Sequence, residues 1–137
     1  MCENDNNTNY LASTFELILM LQQRHEQSDI IDSCDKPFLG PTVNNMLLNT
    51  RPINIYSCCN NTLWTMPYTL NETTGTSNVF RVENIDDNCL TCRVLAPNTD
   101  PTTSINTPYL ATEDFFTIKL SCIGAFKCLN DTLVSGI

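Results

Sequence analysis

The first hydrophobic pattern along the chain predicts an amphipathic helix over residues 9–27. One helical face collects apolar side chains at the i, i+4, i+7 and i+8 spacing: Leu11, Phe15, Ile18 and Leu19. Three more then widen this stripe almost around the helix: Leu17, Met20 and Leu21. Such a helix requires cover on several sides. Two interpretations follow: it docks in the core of its own domain, or it leaves one face for a neighbouring subunit, with Phe15, Ile18 and Leu19 as the packing candidates.

After residue 50 the pattern changes to the alternation of β-strands. Five segments alternate or resemble strands in composition: 52–58, 62–68, 79–85, 90–95 and 116–122. The first two are separated by Cys59, Asn60 and Asn61, which predicts a hairpin. In the last, one face collects the inward side chains Phe116, Ile118, Leu120 and Cys122, and the other the outward side chains Thr117, Lys119 and Ser121. This one-sided alternation is typical of antiparallel sheets. The predicted fold class is α+β, with a short N-terminal helix followed by a mainly antiparallel β-sheet or sandwich.

The order of these elements predicts one domain. Residues 1–9 are expected to form a flexible polar tail, and residues 10–137 a single domain with its β portion over about 50–130. Two segments rich in Thr, Asn and Pro, 73–78 and 98–108, predict loops. A chain of 137 residues with 42% apolar side chains is large enough for one hydrophobic core.

The charge balance restricts the partners. There are 7 basic and 15 acidic residues, giving a net charge of −8, whereas nucleic acids and anionic membranes require a basic surface. The longest apolar run, 17–21, is too short to span a bilayer. Charged residues are only 16% of the chain, and many Asn and Thr side chains take their place. A surface of short, neutral, hydrogen-bonding side chains favours close lateral contact between subunits.

The chain is rich in cysteine. Its eight cysteines are Cys2, Cys34, Cys58, Cys59, Cys89, Cys92, Cys122 and Cys128. This density indicates an oxidising final environment or a bound metal. The polar, acidic N-terminus differs from the basic start of a signal peptide, so we expect a protein that is not secreted in the conventional way.

Strand geometry separates the cysteines that are close in sequence. The spacing of two pairs places their side chains on opposite faces of a strand: Cys58 with Cys59, and Cys89 with Cys92. Cys122 and Cys128 would lie roughly 20 Å apart on an extended strand, whereas a disulfide joins Cα atoms within about 7 Å. These cysteines are expected to pair between strands, stay free or reach another chain. Cys2, on the tail, is the best candidate for a bond between subunits.

Catalytic patterns are missing from the sequence, and we expect no enzyme. One histidine, His25, cannot form a site that needs several histidines, and four glycines do not form a phosphate-binding loop. We predict no catalytic, cofactor-binding or metal-binding residues and no cofactor. A zinc–thiolate protein stays as a minor alternative, because Cys89 and Cys92 have the spacing of half a zinc site.

Four Asn-x-Ser/Thr sequences support a further alternative. They begin at Asn6, Asn60, Asn71 and Asn130. In a secreted protein such sequences carry glycans. The alternative is a secreted, disulfide-stabilised β domain that binds a glycan or a receptor, and it requires a leader removed before residue 1.

Several segments resemble the CotY, CotZ and ExsY family of spore coat and exosporium proteins. They are Pro-Phe-Leu-Gly at 37–40, Asn-Thr-Arg-Pro at 49–52, Phe-Arg-Val-Glu-Asn-Ile-Asp-Asp-Asn-Cys at 80–89, and the cysteine-bearing stretch 120–129. They follow a short helix in the order seen in the family and cover most of residues 10–134. In one departure from the pattern, Gly124 stands where the family leads us to expect a further cysteine.

The resemblance implies a structural protein made in the mother-cell cytoplasm of a sporulating bacterium. Such proteins self-assemble into two-dimensional lattices, typically of hexameric units, that disulfides reinforce. The expected partners are copies of the same chain and other spore coat proteins. The location implied is the coat or exosporium, reached without a signal peptide, and all eight cysteines are cross-link candidates.

Overall fold

The computed structural model describes residues 8–27 and 48–137. Within them, one helix, α1 (Thr8–Gln27), precedes eight strands. The strands are β1 (Ile53–Ser57), β2 (Met66–Leu70), β3 (Thr73–Ser77), β4 (Phe80–Asp86), β5 (Cys89–Pro97), β6 (Tyr109–Lys119), β7 (Ile123–Cys128) and β8 (Val134–Ser135). A short 3-10 helix, Leu120–Cys122, joins β6 to β7. The α+β class predicted from the sequence is confirmed.

Six of the strands form one sheet in the order β7-β1-β4-β5-β6-β8. Neighbouring strands in it are antiparallel, except that β8 runs parallel to β6. The remaining strands, β2 and β3, form a separate antiparallel pair. This pair packs against β5 and β6, so the central strands are covered on a second side.

The joint between β1 and β4 bends the larger sheet. These two strands share one residue pair, Ile53 with Phe80. The end of β6 lies beside the start of β5. The three residues Leu120–Cys122 connect this end of β6 to Ile123. Ile123 in turn pairs with Ser57, at the end of β1 that is far from β4. In a flat sheet these two points would be roughly 30 Å apart, more than twice what the connecting residues can span. The β7–β1 ribbon therefore folds over the central strands.

The space enclosed by this fold holds the hydrophobic core, which α1 closes. Phe15 and Ile18 of α1 are 0% and 2% exposed. The Phe15 ring lies 4.7 Å from the ring of Phe126 on β7. Phe80 packs edge-on against Phe116, with ring centroids 4.8 Å apart. Helix, ribbon and central strands thus contribute to one cluster of buried side chains.

A buried glutamine fixes the position of α1. Gln22 is 3% exposed. Its Nε2 donates a hydrogen bond of 2.8 Å to the carbonyl oxygen of Val82, and its Oε1 accepts one of 3.1 Å from the backbone N–H of Arg51. Both polar ends of the side chain have partners, so it can be buried and connects the helix to β4 and to the segment before β1.

The helix lies within one residue of its predicted start, and its predicted apolar face is the buried one. Leu11, Phe15 and Ile18 are buried, and Leu19 packs against the core while partly exposed. Phe15 and Ile18 therefore belong to the core of the subunit itself. The predicted bend at 37–41 and nearly all of the predicted tail lie outside the described residues, and the assignment of a single domain stays a prediction.

The predicted hairpin of segments 52–58 and 62–68 is confirmed as far as Ile55, whose carbonyl accepts a hydrogen bond from the N–H of Trp64 at 2.7 Å, but the pairing does not extend further. The chain does reverse there, since the N–H of Ser57 donates to the carbonyl of Thr62 at 2.9 Å and Tyr56 bridges to Leu63. The next strand, however, is β2, which pairs with β3. Segment 73–78, predicted to be a loop, is largely β3. Asn71 and Glu72 between them both have positive φ, 52° and 69°, as a two-residue hairpin turn requires.

The last predicted strand, 116–122, is part of a longer one. β6 begins at Tyr109 and pairs with β5 over most of its length. After Lys119 the chain enters the 3-10 helix, yet Leu120 remains 0% exposed. The hydrophobic pattern identified the buried residue correctly but not the end of the strand.

We predict a large difference between two substitutions on α1. Phe15→Ala removes a fully buried ring and leaves a cavity, so the free energy of unfolding should fall by about 3–5 kcal/mol. Leu17→Ala, the control on the same helix, removes a side chain that is 52% exposed and should change it by about 0.5 kcal/mol or less. Urea unfolding of the purified protein measures both. Equal losses would show that Phe15 does not anchor the helix.

Candidate functional site

The cysteines carry the most reactive side chains, and the structure sorts them by position. Cys2 and Cys34 lie outside the described residues. Cys58 and Cys59 are both disulfide-bonded. The described cysteines that carry free thiols are Cys89, Cys92, Cys122 and Cys128. The cysteines of known position thus include bonded, buried and accessible ones.

Three cysteines lie around the 3-10 helix, although they are far apart in sequence. The N–H of Cys58 donates to the carbonyl of Cys122 at 2.9 Å, where β1 ends and β7 begins. The N–H of Leu120 donates to the carbonyl of Asn88 at 2.7 Å, which brings the start of β5, and with it Cys89, to the same region. The fold of the ribbon over the central strands is the cause of this gathering.

Gly124 is required by the same crossing. A Cβ atom at position 124 would lie 2.6 Å from the Cα of Cys58 and 3.1 Å from its Cβ. Because the nearest atom belongs to the backbone, it cannot move aside easily. The family pattern leads us to expect a cysteine here, but this packing leaves no room for one. Its absence is explained by the close approach of β7 to the end of β1.

Cys92 is part of the core. It is 0% exposed on β5, and burial, together with the nearby charge of Glu83, raises its pKa well above the ordinary value for a thiol. It therefore stays protonated at neutral pH and unreactive in the folded subunit. The pattern of Cys89 and Cys92 on opposite faces of β5 is as predicted, with Cys92 inward and Cys89 half-buried.

Cys128 is the exposed thiol among the described free cysteines. Burial of part of its sulfur raises its pKa; Arg51 opposes this shift and Asp131 adds to it. Arg51 and Asp131 form a two-point ion pair beside it, with N···O distances of 2.6 and 2.8 Å. Cys128 also lines an open surface cleft of about 760 Å³, together with Ile105 and Tyr109 from the other end of the sheet.

The described residues do not support the zinc alternative. Among them, no three histidine, cysteine, aspartate or glutamate side chains lie close enough together to hold a metal ion. Cys89 and Cys92 cannot do so as a pair, because one sulfur faces the core. The side chain of His25 lies outside what the structure describes.

A charge network lies on the face of β4 and β5 that carries Arg81 and Arg93. Arg81 is 3% exposed. Its guanidinium donates to Glu83 at 2.8 Å, to the hydroxyl of Thr50 at 2.9 Å and to the carbonyl of Asn49 at 3.1 Å. The partners come from the segment before β1, so alternation along β4 alone could not reveal this burial.

Arg93, opposite Arg81 in the sheet, shares the same carboxylate. Its Nε donates to Glu83 at 3.1 Å and its Nη1 to the carbonyl of Thr112 at 2.9 Å. Its guanidinium also lies 4.4 Å from the centre of the Phe115 ring. Glu83 thus holds two arginines on neighbouring strands, and removing one charge would leave its partner buried and uncompensated.

The outer face of α1 carries apolar side chains that no described residue covers. Tyr10 is 71% exposed, Leu17 52%, Met20 54% and Leu21 37%. Tyr10, Leu17 and Leu21 recur at the spacing of one helical face. This outer face of α1 lies apart from the buried face of Phe15 and Ile18, so a single helix presents two apolar surfaces. A contiguous exposed apolar patch is typical of an interaction site.

We predict an order of thiol reactivity. Iodoacetamide should label Cys128 first in the folded subunit, Cys89 and Cys122 more slowly, and Cys92 only after unfolding. Because the pKa of Cys128 is raised, its labelling rate should reach half of its maximum at a higher pH than that of the same residue in the unfolded chain. Mass spectrometry of peptides measures each rate. Fast labelling of Cys92 in the folded protein would contradict its place in the core.

No helix among the described residues is long and apolar enough to cross a membrane. Neither a search of curated proteins nor a search of solved structures found a match. The chain does match a protein family, spore coat protein Z, over residues 1–131. This match includes α1, both sheets and seven of the eight strands. The resemblance seen in the sequence is confirmed: the chain belongs to the spore coat protein Z family and has a structural role in the spore coat.

Proposed function

We propose that this protein is a subunit that self-assembles into an ordered two-dimensional lattice of hexameric units in the coat or exosporium, where disulfides reinforce it. In this proposal the protein is made in the mother-cell cytoplasm and acts as a structural component, not as an enzyme. The observation that carries the proposal is the family match over residues 1–131. The following features of the subunit support it.

The outer face of α1 supports contact with a second copy. Exposing Tyr10, Leu17 and Met20 to water is unfavourable, and covering them with a neighbour stabilises an assembly by roughly 25 cal/mol for each Å² of apolar surface removed from water. The long side chains lie on a regular helix supported by the core beneath. They can therefore pack against a second subunit without a large loss of conformational freedom in the backbone.

The surface composition also supports lateral packing. β3 presents exposed threonines to solvent, and charged residues make up 16% of the chain. Short hydroxyl and amide side chains allow neighbouring subunits to approach closely and to exchange hydrogen bonds. The net charge of −8 opposes association, so such contacts must be local and geometrically well fitted.

The thiols support an order of events in which packing precedes cross-linking. Cys92 cannot react in the folded subunit, and the raised pKa of Cys128 lowers the fraction of reactive thiolate at neutral pH. Noncovalent contacts would then form first and bring accessible cysteines of neighbouring subunits together. Oxidation would follow as the shell matures, with Cys2, Cys34, Cys89, Cys122 and Cys128 as the cross-linking candidates, because Cys58 and Cys59 are already disulfide-bonded.

The secreted-domain alternative has less support. Asn60, Asn71 and Asn130 are exposed, which is compatible with glycosylation, but exposure is the usual state of asparagine on a surface. The family match gives the chain a role in the spore coat instead. We therefore do not propose a glycan-binding or receptor-binding function.

Negative-stain electron microscopy of the purified protein, with and without reductant, tests the proposal. We expect sheets, tubes or rings in both preparations, because packing precedes oxidation, and greater resistance to urea in the oxidised one. Assemblies that vanish with reductant would make disulfides the primary contact. Dispersed monomers in both preparations would contradict self-assembly.

A variant of the outer face of α1 tests its role in assembly. The double substitution Leu17→Gln and Met20→Gln should reduce assembly by about tenfold or more, because it replaces two exposed apolar side chains with polar ones. Its free energy of unfolding should remain within about 1 kcal/mol of the wild type, because both positions are exposed. Glu16→Gln, an exposed change on the same helix, is the matched control. Light scattering against concentration measures assembly, and unchanged scattering of the double variant would exclude this face as a contact.

A further inference from the structure

β7 is an exposed edge of the six-stranded sheet. It has β1 on one side and no described strand on the other. Four of its six residues are exposed: Gly124, Ala125, Lys127 and Cys128. An open edge offers unpaired backbone N–H and C=O groups to another strand. It is therefore a surface on which a second chain can add to the sheet.

The register with β1 shows which backbone groups of β7 face inward. The N–H of Leu129 donates to the carbonyl of Pro52 at 2.8 Å. In an antiparallel ladder the residues that face the partner alternate. Lys127 and Ala125, which lie two and four positions earlier, therefore direct their N–H and C=O groups to β1 as well.

The groups of Phe126 and Cys128 consequently point away from β1. Among the described residues, none forms a hydrogen bond to these backbone N–H and C=O groups. A second antiparallel strand forms its hydrogen bonds with every second residue of the first. Phe126 and Cys128, two positions apart, have this spacing.

Two of the other strands at sheet edges, β8 and β2, are less open than β7. β8 has only two residues and runs parallel to β6. β2 contains Pro67, which lacks an N–H. β7 has six residues, no proline and a single charge, on Lys127. A short strand, a proline, a β-bulge or several charges commonly block edge pairing. β7 has one lysine, and its register with β1 shifts at Gly124, near one end of the strand.

We propose that the β7 edges of two copies pair antiparallel about a two-fold axis at Phe126, joining two six-stranded sheets into one. This inference rests on the proposed self-assembly and names one contact within it. In this arrangement the outward N–H and C=O of Phe126 bond to those of the same residue in the second copy. Cys128 lies opposite Gly124 of the second copy, and Lys127 lies opposite Ala125.

Charge and strand length disfavour the two registers whose axes lie nearer the C-terminal end of β7. An axis at Lys127 would also pair outward groups, but it would place two lysines directly opposite each other, which is unfavourable. An axis at Cys128 would pair Phe126 with position 130, beyond the end of β7. The axis at Phe126 keeps all five paired positions, 124–128, within the strand.

A two-fold contact has a defined place in a lattice. It is satisfied by two copies and cannot extend by itself. It can therefore join one ring of subunits to the next, while a different surface, such as the outer face of α1, closes the ring. In this arrangement β7 forms the contact between one ring of subunits and the next.

Two substitutions of one residue test the backbone contact. Cys128→Pro removes an N–H that points outward and leaves the bonds between β7 and β1 intact. Cys128→Ser, the matched control, removes the thiol but keeps the N–H. Under reducing conditions, sedimentation velocity and electron microscopy should show connected units for the wild type and Cys128→Ser. Cys128→Pro should give separate units, with association between units weakened about tenfold or more. Circular dichroism checks that each variant is folded.

Charge changes at Ala125 test the register with a second set of folded variants. Ala125→Lys places a lysine opposite Lys127 of the second copy twice in each contact, and Ala125→Glu places a carboxylate there. We expect Ala125→Lys to associate about tenfold more weakly than Ala125→Glu at low salt, with the difference shrinking as salt is added. The double variant Ala125→Lys with Lys127→Glu should restore association.

The outcomes separate this contact from the proposed function. If the wild type assembles and Cys128→Pro and the Ala125 variants assemble equally well, the β7 contact is overturned while self-assembly stands. If the wild type forms no assembly at all, both are overturned. Loss of assembly in Cys128→Ser as well as in Cys128→Pro would assign the contact to the thiol and would also overturn the backbone pairing.

Discussion

The single residue pair between β1 and β4 controls the shape of the subunit. Because only Ile53 and Phe80 join these strands, the β7–β1 ribbon is free to fold over the central strands instead of extending them. The fold-over creates a core with two β layers, and α1 closes it with Phe15 against Phe126. It also leaves β7 at an edge with β1 as its only described neighbour. Core, helix position and exposed edge therefore have one origin.

The same bend distributes the thiols. It brings the segments of Cys58, Cys89 and Cys122 together around the 3-10 helix and directs Cys92 into the core, while Cys128 remains at the surface. In the proposed assembly the thiols would have to stay reduced until the subunits are in place. A buried thiol and a thiol with a raised pKa meet this requirement through their position alone. Disulfides formed later would hold neighbours against dilution and denaturants, which packing contacts of moderate strength do not.

Two unrelated surfaces remain available to a second copy, and they differ in physical character. The outer face of α1 is apolar and stabilises contact through water exclusion, which depends little on register. The β7 edge offers directional backbone bonds, which impose a register and a two-fold axis. A ring contact combined with a two-fold contact is sufficient to generate an extended layer. Glu83 links Arg81 of β4 to Arg93 of β5 by ion pairs of 2.8 and 3.1 Å.

The sequence determined the helix, the antiparallel class, the opposite faces of Cys89 and Cys92 on β5, the inward residues of β6 and the family. These follow from local periodicity and from motifs, which report which side of an element is buried. The tertiary structure decided the pairing of β1 with β7, the burial of Arg81 and the requirement for glycine at position 124. Each depends on a segment distant in sequence: β7 meets β1, Thr50 meets Arg81, and Cys58 meets Gly124. A single strand's alternation holds no information about which distant segment will cover it, so these contacts became visible only when the chain was folded.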